Sequence, residues 1–308
     1  MKKHLPSILC LLLLTIAAPV MSQNHEYDPP WNTPPESPVM FTIPGIDNVP
    51  DLYGDINDPQ LVIFFAGNQF MCIDELLYAF KKMFPKYQKV FAETLPPGIL
   101  AKQIDSGSIT IGNMRITLQP DIYTAGKNRI EEMSGYFSET VSYATNQLAI
   151  MVAKGNPKNI KALRDLGRDD VRVSMPNPAW EGIGDQIIKA YVKAGGEELK
   201  NTIMRKKVED STTFLTQIHH RQTPMRILYG QSDAGPVWYS EAYYQRMIQH
   251  PIDVVTIPAK ENIQATYAAG ILKQAPRMQA AKDFLTFLQT TEAKAVYKKF
   301  GFEVNSLR

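Results

Sequence analysis

Cysteine, histidine and an excess of charge of either sign are all scarce in this chain, and each scarcity removes a class of function. The sequence holds two cysteines, Cys10 and Cys72. Cys10 lies in a leader-like start, so a processed chain keeps Cys72 alone and can form no intramolecular disulfide. A core of ordinary size must therefore hold the fold, and 308 residues are enough for one large domain or two smaller ones. There are five histidines, two of them adjacent at His219-His220. Adjacent residues on a helix point about 100° apart, so this pair is read as a solvated surface feature and not a metal site. The formal net charge is +2, and loss of Lys2 and Lys3 with the leader leaves the chain neutral. With no overall field to gather polyanions, nucleic acid is excluded as a partner and any charged ligand must be recognised locally.

Catalytic signatures are missing too. The chain has no Gly-x-Ser-x-Gly elbow, no His-Glu-x-x-His, no P-loop and no Gly-x-Gly-x-x-Gly. Cys72 falls in a first helical turn, but no histidine lies near it in sequence, and it is read as structural. No catalytic residue, metal or cofactor is expected.

What is present begins with an export signal. Met1-Lys2-Lys3 is followed by an apolar run from Ile8 to Ala18, too short to span a bilayer, and then by Val20-Met21-Ser22. Residues 1–22 are read as a signal peptide cleaved after Ser22, which places the mature protein in a bacterial periplasm. Residues 23–59 are rich in Pro, Asn and Asp and predict an extended surface arm pinned by Trp31, Met40 and Phe41.

Leu61 to Ala66 is a continuous apolar run of strand length, broken by Gly67-Asn68-Gln69-Phe70. Ile73, Leu76, Leu77, Phe80 and Phe84 then fall at helical spacing. The pattern recurs. Strands are predicted at Lys89–Ala92, Asp121–Ala125, Leu148–Val152, Val171–Met175, Met225–Tyr229, Pro236–Tyr239, Ile252–Ile257 and Tyr267–Leu272. Helices are predicted at Ile99–Ser106, Ile160–Leu166, around Ile187–Val192, at Ser211–His220, and twice at the C-terminal end. Ser108 to Gln119 reads as an inserted hairpin. Strands alternating with helices give an α/β, doubly wound architecture.

In such a sheet, polar turns after strands collect free N–H groups and helix dipoles, a natural place to hold an anion. The turns of this kind are Gly67-Asn68-Gln69, Thr94 to Gly98, Pro176 to Gly184 and Gly230 to Gly235, with hydroxyls at Ser211-Thr212-Thr213.

From Leu61 to Phe302 the chain resembles the type II periplasmic solute-binding proteins of ABC importers, in the molybdate/tungstate/sulfate branch. The resemblance is carried at the end by Ile257-Pro258, Asn262, Ala265-Thr266-Tyr267, Ala280-Ala281-Lys282-Asp283-Phe284 and Lys299-Phe300-Gly301-Phe302. Gln231 to Ala242, Val173 to Ala179, Leu100 to Ile104 and Pro120 to Tyr123 add to it. It implies two α/β lobes joined by hinge strands, lobe I at 60–145 plus 253–308 and lobe II at 146–252. It further implies a small anionic ligand between them, a membrane permease as partner, and a protein that works as a monomer.

On that resemblance the ligand-binding positions are Asn68 and Gln69 after the first strand, and Thr94 and Gly98 after the second. Lobe II supplies Ile183 and Gly184 at a helix start, Ser211, and Trp238 with Tyr239. Arg115 on the hairpin is a further candidate, because a guanidinium favours carboxylate or phosphate. Two hydroxyls of the molybdate binders are replaced, by Asn68 and by Pro97 beside Gly98. An altered pocket follows, with an organic or phosphorylated anion favoured over molybdate, tungstate or sulfate. The alternative is a sensor or surface interaction protein using the same clamshell.

Overall fold

A computed structural model describes residues 51–111, 114–179, 181–216 and 222–304. The expected signal peptide, the arm up to residue 50 and the His219-His220 pair lie outside the described residues.

The chain enters through β1 (Leu52–Gly54), β2 (Leu61–Ala66), α1 (Ile73–Met83), β3 (Val90–Leu95) and α2 (Pro97–Ser106). A hairpin of β4 (Ile109–Ile111) and β5 (Met114–Ile116) leads to β6 (Ile122–Gly126), α3 (Lys127–Glu132) and the long β7 (Phe137–Ala153). Then come β8 (Val173–Met175), α4 (Gly182–Asn201), α5 (Lys207–Glu209), β9 (Thr213–Leu215), α6 (Gln222–Leu228), β10 (Ala234–Trp238) and α7 (Tyr239–Met247). The last elements are β11 (Ile252–Thr256), β12 (Gln264–Leu272), α8 (Met278–Leu288) and α9 (Thr291–Lys299).

Every residue of β2 and β3 is buried, as expected of parallel strands covered on both faces. The sheet runs β1-β3-β2-β6-β12-β7-β10-β8-β9, with β11 also on β7. Strands β2, β3 and β6 are mutually parallel, as are β8, β9 and β10. Two main cores result. One draws on residues between Leu61 and Ala144 and again between Tyr267 and Phe302. The other draws on residues between Leu148 and Ile257. The strands and cores thus divide into two α/β lobes, as the resemblance implies.

Strand β7 belongs to both lobes. Its first part pairs with β12, from Phe137 to Gln147, and its second with β10 and β11, from Leu148 to Ala153. The 17-residue strand extends well upstream of the expected Leu148–Val152. Its earlier part, with Ser138, Glu139 and Thr140 exposed, lacks the apolar run that marks the second part.

Other expectations are corrected. The break after β2 is a turn of 3-10 helix, Gly67–Cys72, that feeds directly into α1. The first residues of the expected Ser211–His220 helix form β9, parallel to β8, because Phe214 and Leu215 fit a short strand as well as a helix. Met225 to Tyr229, expected as a strand, lies largely in α6, where Pro224 sits in the first turn, a position that helices accept. The Ile160–Leu166 helix shrinks to a 3-10 turn at Leu163–Gly167. Helices α3 and α7 were not expected at all. Of the arm, Leu52–Gly54 pairs antiparallel with β3 and covers that edge of the sheet.

Candidate ligand-binding cleft

The C-terminal ends of the parallel strands in both lobes open on one cavity of about 670 Å³. From β2 the chain passes into the 3-10 turn at Gly67; from β3 it enters α2 through Pro96-Pro97. After β6 it enters α3 at Lys127, and after β8 it reaches α4 at Gly182. All four helix starts line the cavity. None of their cap residues, Ala66, Pro96, Gly126 and Glu181, gives a side-chain hydrogen bond to its own helix. The first N–H groups of a helix have no intrahelical acceptor, so these starts present unpaired donors and the positive ends of their dipoles.

At α2 the prolines narrow the offer. Pro96 and Pro97 have no N–H, and Ile99 and Leu100 both donate to the Pro96 carbonyl, at 2.9 and 3.1 Å. Gly98 is left as the backbone donor. At α4 the Gly184 N–H donates to the Glu181 carbonyl at 2.9 Å, which leaves those of Gly182 and Ile183 without a backbone acceptor among the described residues. The α4 start is pressed close to its own loop. A Cβ on Gly184 would stand 2.6 Å from Pro178 Cα and 2.8 Å from the Pro176 carbonyl oxygen. The loop is braced by Thr216, whose hydroxyl accepts from Asn177 N–H at 2.9 Å and donates to Glu181. Beneath it the buried Arg226 guanidinium donates to the Phe214 carbonyl at 2.9 Å and to that of Leu215 at 3.2 Å. Burial brings its pKa down to about 10, with the Glu181 charge opposing the fall.

On the floor, Asn68 Nδ2 donates to Tyr267 Oη at 2.6 Å. The Trp238 ring meets Tyr267 edge-on, with centroids 6.2 Å apart. The rim carries Lys127, Arg129 and Glu132 from α3 and Asp185 and Lys189 from α4. Lys127 and Arg129 make exposed contacts with Glu131 and Glu132 at 3.8 and 3.5 Å, too solvated to hold either cation firmly.

Of the residues proposed from sequence, Asn68, Gly98, Ile183 and Trp238 line the cavity. Gly184 lies behind that wall in the first turn of α4. Gln69 turns into lobe I, where its Nε2 donates to Tyr143 Oη at 2.7 Å and its Oε1 accepts from Tyr297 Oη at 2.9 Å. Thr94 is buried and donates to Asp51 Oδ1 at 3.1 Å, fastening β1 to β3. Arg115 is exposed on the hairpin and donates to Ser108 Oγ at 3.2 Å. Ser211, at φ 55°, makes an exposed turn before β9, at the end of that strand away from the cavity. The C-terminal end of β9, at Thr216, is the one that meets the cleft loop. Tyr239 stacks on Tyr243, with centroids 5.8 Å apart, and does not reach the cavity.

Sequence reasoning missed the α3 start, Asp185 to Lys189, and Gln264 to Tyr267, and reached Glu181 and Gly182 only as part of the Pro176 to Gly184 turn. For α3 a signal existed: Gly126-Lys127-Asn128 follows a buried strand just as Gly67-Asn68-Gln69 does. Among the described residues no group of acidic, histidine and cysteine side chains could hold a metal ion. No described helix is long and apolar enough to cross a membrane.

Residues 61–303 match the family model described as bacterial extracellular solute-binding protein. The chain is 23% identical over 166 residues to the molybdate-binding protein ModA of Mycobacterium tuberculosis, covering 52% of this chain and 55% of that one. The match thus spans about half the length of that relative. Among solved structures, the sulfate-binding protein SubI of M. tuberculosis is similar with a TM-score of 0.65 at 17% identity, over 80% of this chain and 86% of the other. The periplasmic binding protein AfuA of Actinobacillus pleuropneumoniae, with fructose-6-phosphate bound, gives 0.63 at 14% identity, over 79% and 84%.

Proposed function

We infer that this chain, which belongs to the bacterial extracellular solute-binding protein family, captures a small anion between its lobes and hands it to the membrane permease of an ABC importer. The observation that carries the reading is the convergence of uncapped helix starts at Gly67, Gly98 and Gly182-Ile183 on one cavity. Such starts bind anions through N–H groups and dipoles without a compensating buried cation.

We assign lobe I to 60–145 plus 253–308 and lobe II to 146–252, with the ligand held by Gly98, Ile183 and Trp238 over the floor that Asn68 helps to form. The protein acts as an exported monomer, its leader removed after Ser22, and closes around its ligand. The ligand is an organic or phosphorylated anion and not a bare oxyanion. Three features support this choice. A cavity of about 670 Å³ suits a small organic molecule. Pro97 stands where a bare oxyanion would want a hydroxyl donor. The rim's charges of both signs offer partners to the rest of a larger ligand. The bound fructose-6-phosphate of the similar AfuA structure points the same way.

Calorimetry with sulfate, molybdate, inorganic phosphate and fructose 6-phosphate tests the reading. The expected result is heat with a phosphorylated compound and little with molybdate. Heat with molybdate or sulfate alone overturns the ligand class, and no heat with any of the four or with a set of small carboxylates overturns anion capture.

A further inference from the structure

Tyr267 stands at the start of the buried part of β12 and lines the cavity. The pairing of β12 with β7 slips between Tyr267 and Ala268, an irregularity of the kind that re-aims a side chain. The ring is fixed between Trp238 and Phe302, at centroid distances of 6.2 and 5.8 Å. A phenol oxygen has two acceptor sites and one proton. Asn68 Nδ2 donates to the oxygen at 2.6 Å. One acceptor site is thus taken by an amide. No described protein group accepts the hydroxyl proton. Burial keeps that proton on, against the pull of the Asn68 amide. A buried donor left unpaired is costly, and the open space beside it is the cavity into which the helix starts point.

We infer that the Tyr267 hydroxyl donates a hydrogen bond to the bound anion and that Asn68 orients it to do so. The inference rests on the anion-binding reading above and names the side chain that specifies the ligand's chemistry. The proton it offers favours a deprotonated carboxylate, sulfate or phosphate oxygen over an ammonium or amide N–H at the same spot.

The test is calorimetry on the full mature chain with sulfate, molybdate, inorganic phosphate and fructose 6-phosphate. Taking the tightest of these, Tyr267→Phe weakens binding by about 10- to 100-fold, the worth of one hydrogen bond to a charged acceptor. Thermal unfolding of the same preparation confirms that the variant is folded. Asn68→Ala weakens binding less, and adding it to Tyr267→Phe changes affinity by no more than about twofold, because the two act through one hydroxyl. Where Tyr267→Phe does not fold, Asn68→Asp serves: its carboxylate keeps the contact but takes the proton, and binding falls. Wild-type affinity in Tyr267→Phe, additive losses in the double variant, or unchanged binding in Asn68→Asp overturns the inference while anion capture stands. If the wild-type chain binds none of the four anions and no small carboxylate, anion capture fails and this role fails with it.

Discussion

Asn262 pairs with Leu148 as a neighbouring strand would. Its Oδ1 accepts the Leu148 N–H at 3.0 Å and its Nδ2 donates to the Leu148 carbonyl at 2.9 Å. The pairing lies where β7 leaves one lobe for the other, and Asn262 also sits between β11 and β12, on the return crossing. A side chain that is 8% exposed thus ties the two crossings together. The Leu148 N–H has a second, longer acceptor in the Ile263 carbonyl at 3.3 Å, so its carbonyl depends on Asn262 more than its N–H does.

Replacing Asn262 by Ala should therefore leave a buried carbonyl without a donor. The expected loss is about 1–3 kcal/mol, read from urea unfolding. Asn262→Asp restores the acceptor but not the donor, and should recover little of it. Equal stability of Asn262→Ala and the wild type would show that water takes over the pairing.

A second buried group predicts a pH dependence. Glu93 in β3 is fully buried, its Oε1 accepting from Gln103 Nε2 at 3.2 Å. Among the described residues its Oε2 and the Gln103 Oε1 have no hydrogen-bond partner. Burial, opposed by the Gln103 bond and helped by the Asp51 charge, pushes the carboxyl up to about 8. A folded value above the unfolded one means stability that is full below pH 4.5 and is lost as pH rises through 8. The contribution is on the order of a few kcal/mol across that window. Glu93→Gln should remove the slope that Glu93 adds and raise stability at pH 8, measured by unfolding at pH 5, 6.5 and 8. Parallel curves for the two proteins would contradict the assignment.

How much of this was legible in the sequence follows from where the signals lie. The run Leu61–Ala66 declared itself, since a strand buried on both faces is apolar throughout. The first part of β7 did not, because its exposed Ser138, Glu139 and Thr140 interrupt any apolar pattern. Asn68 and Gln69 show the same limit within the site. Both are amides after a buried strand, and only the 3-10 turn decides that Asn68 faces the cavity while Gln69 faces the core. Tyr267 was hidden among the apolar residues of β12, where a tyrosine reads as core. Long-range pairs such as Asn68–Tyr267, at 199 residues of separation, leave no local trace.

Gln69 itself predicts a separation of stability from binding. Its amide serves Tyr143, Tyr297 and, at 3.3 Å, Thr124, all buried beneath the cleft. Gln69→Met keeps the volume and strips those bonds. We expect a loss of about 2–4 kcal/mol from buried hydroxyls left short of partners. Anion affinity of the folded fraction should change by less than about tenfold, since no ligand contact is removed. A collapse of affinity with stability intact would place Gln69 in the ligand's reach after all.

The two glycines at the start of α4 make a matched pair for the last prediction. At Gly182 an added Cβ meets nothing within 4 Å, whereas at Gly184 it meets Pro178 Cα and N at 2.6 Å. Those are backbone atoms that cannot rotate aside, so Gly184→Ala must push the helix start away from its loop. The expected cost is about 1–3 kcal/mol, as for overpacking elsewhere. The displacement also moves the Gly182 and Ile183 N–H groups, and because hydrogen bonds weaken steeply with misalignment, anion affinity should fall with stability. Gly182→Ala, one residue before Ile183 and with open space for its methyl, should leave stability within about 0.5 kcal/mol of wild type. Unfolding and calorimetry on the two variants side by side decide the matter. Equal behaviour of the pair would mean that the Pro178 contact does not fix the helix start.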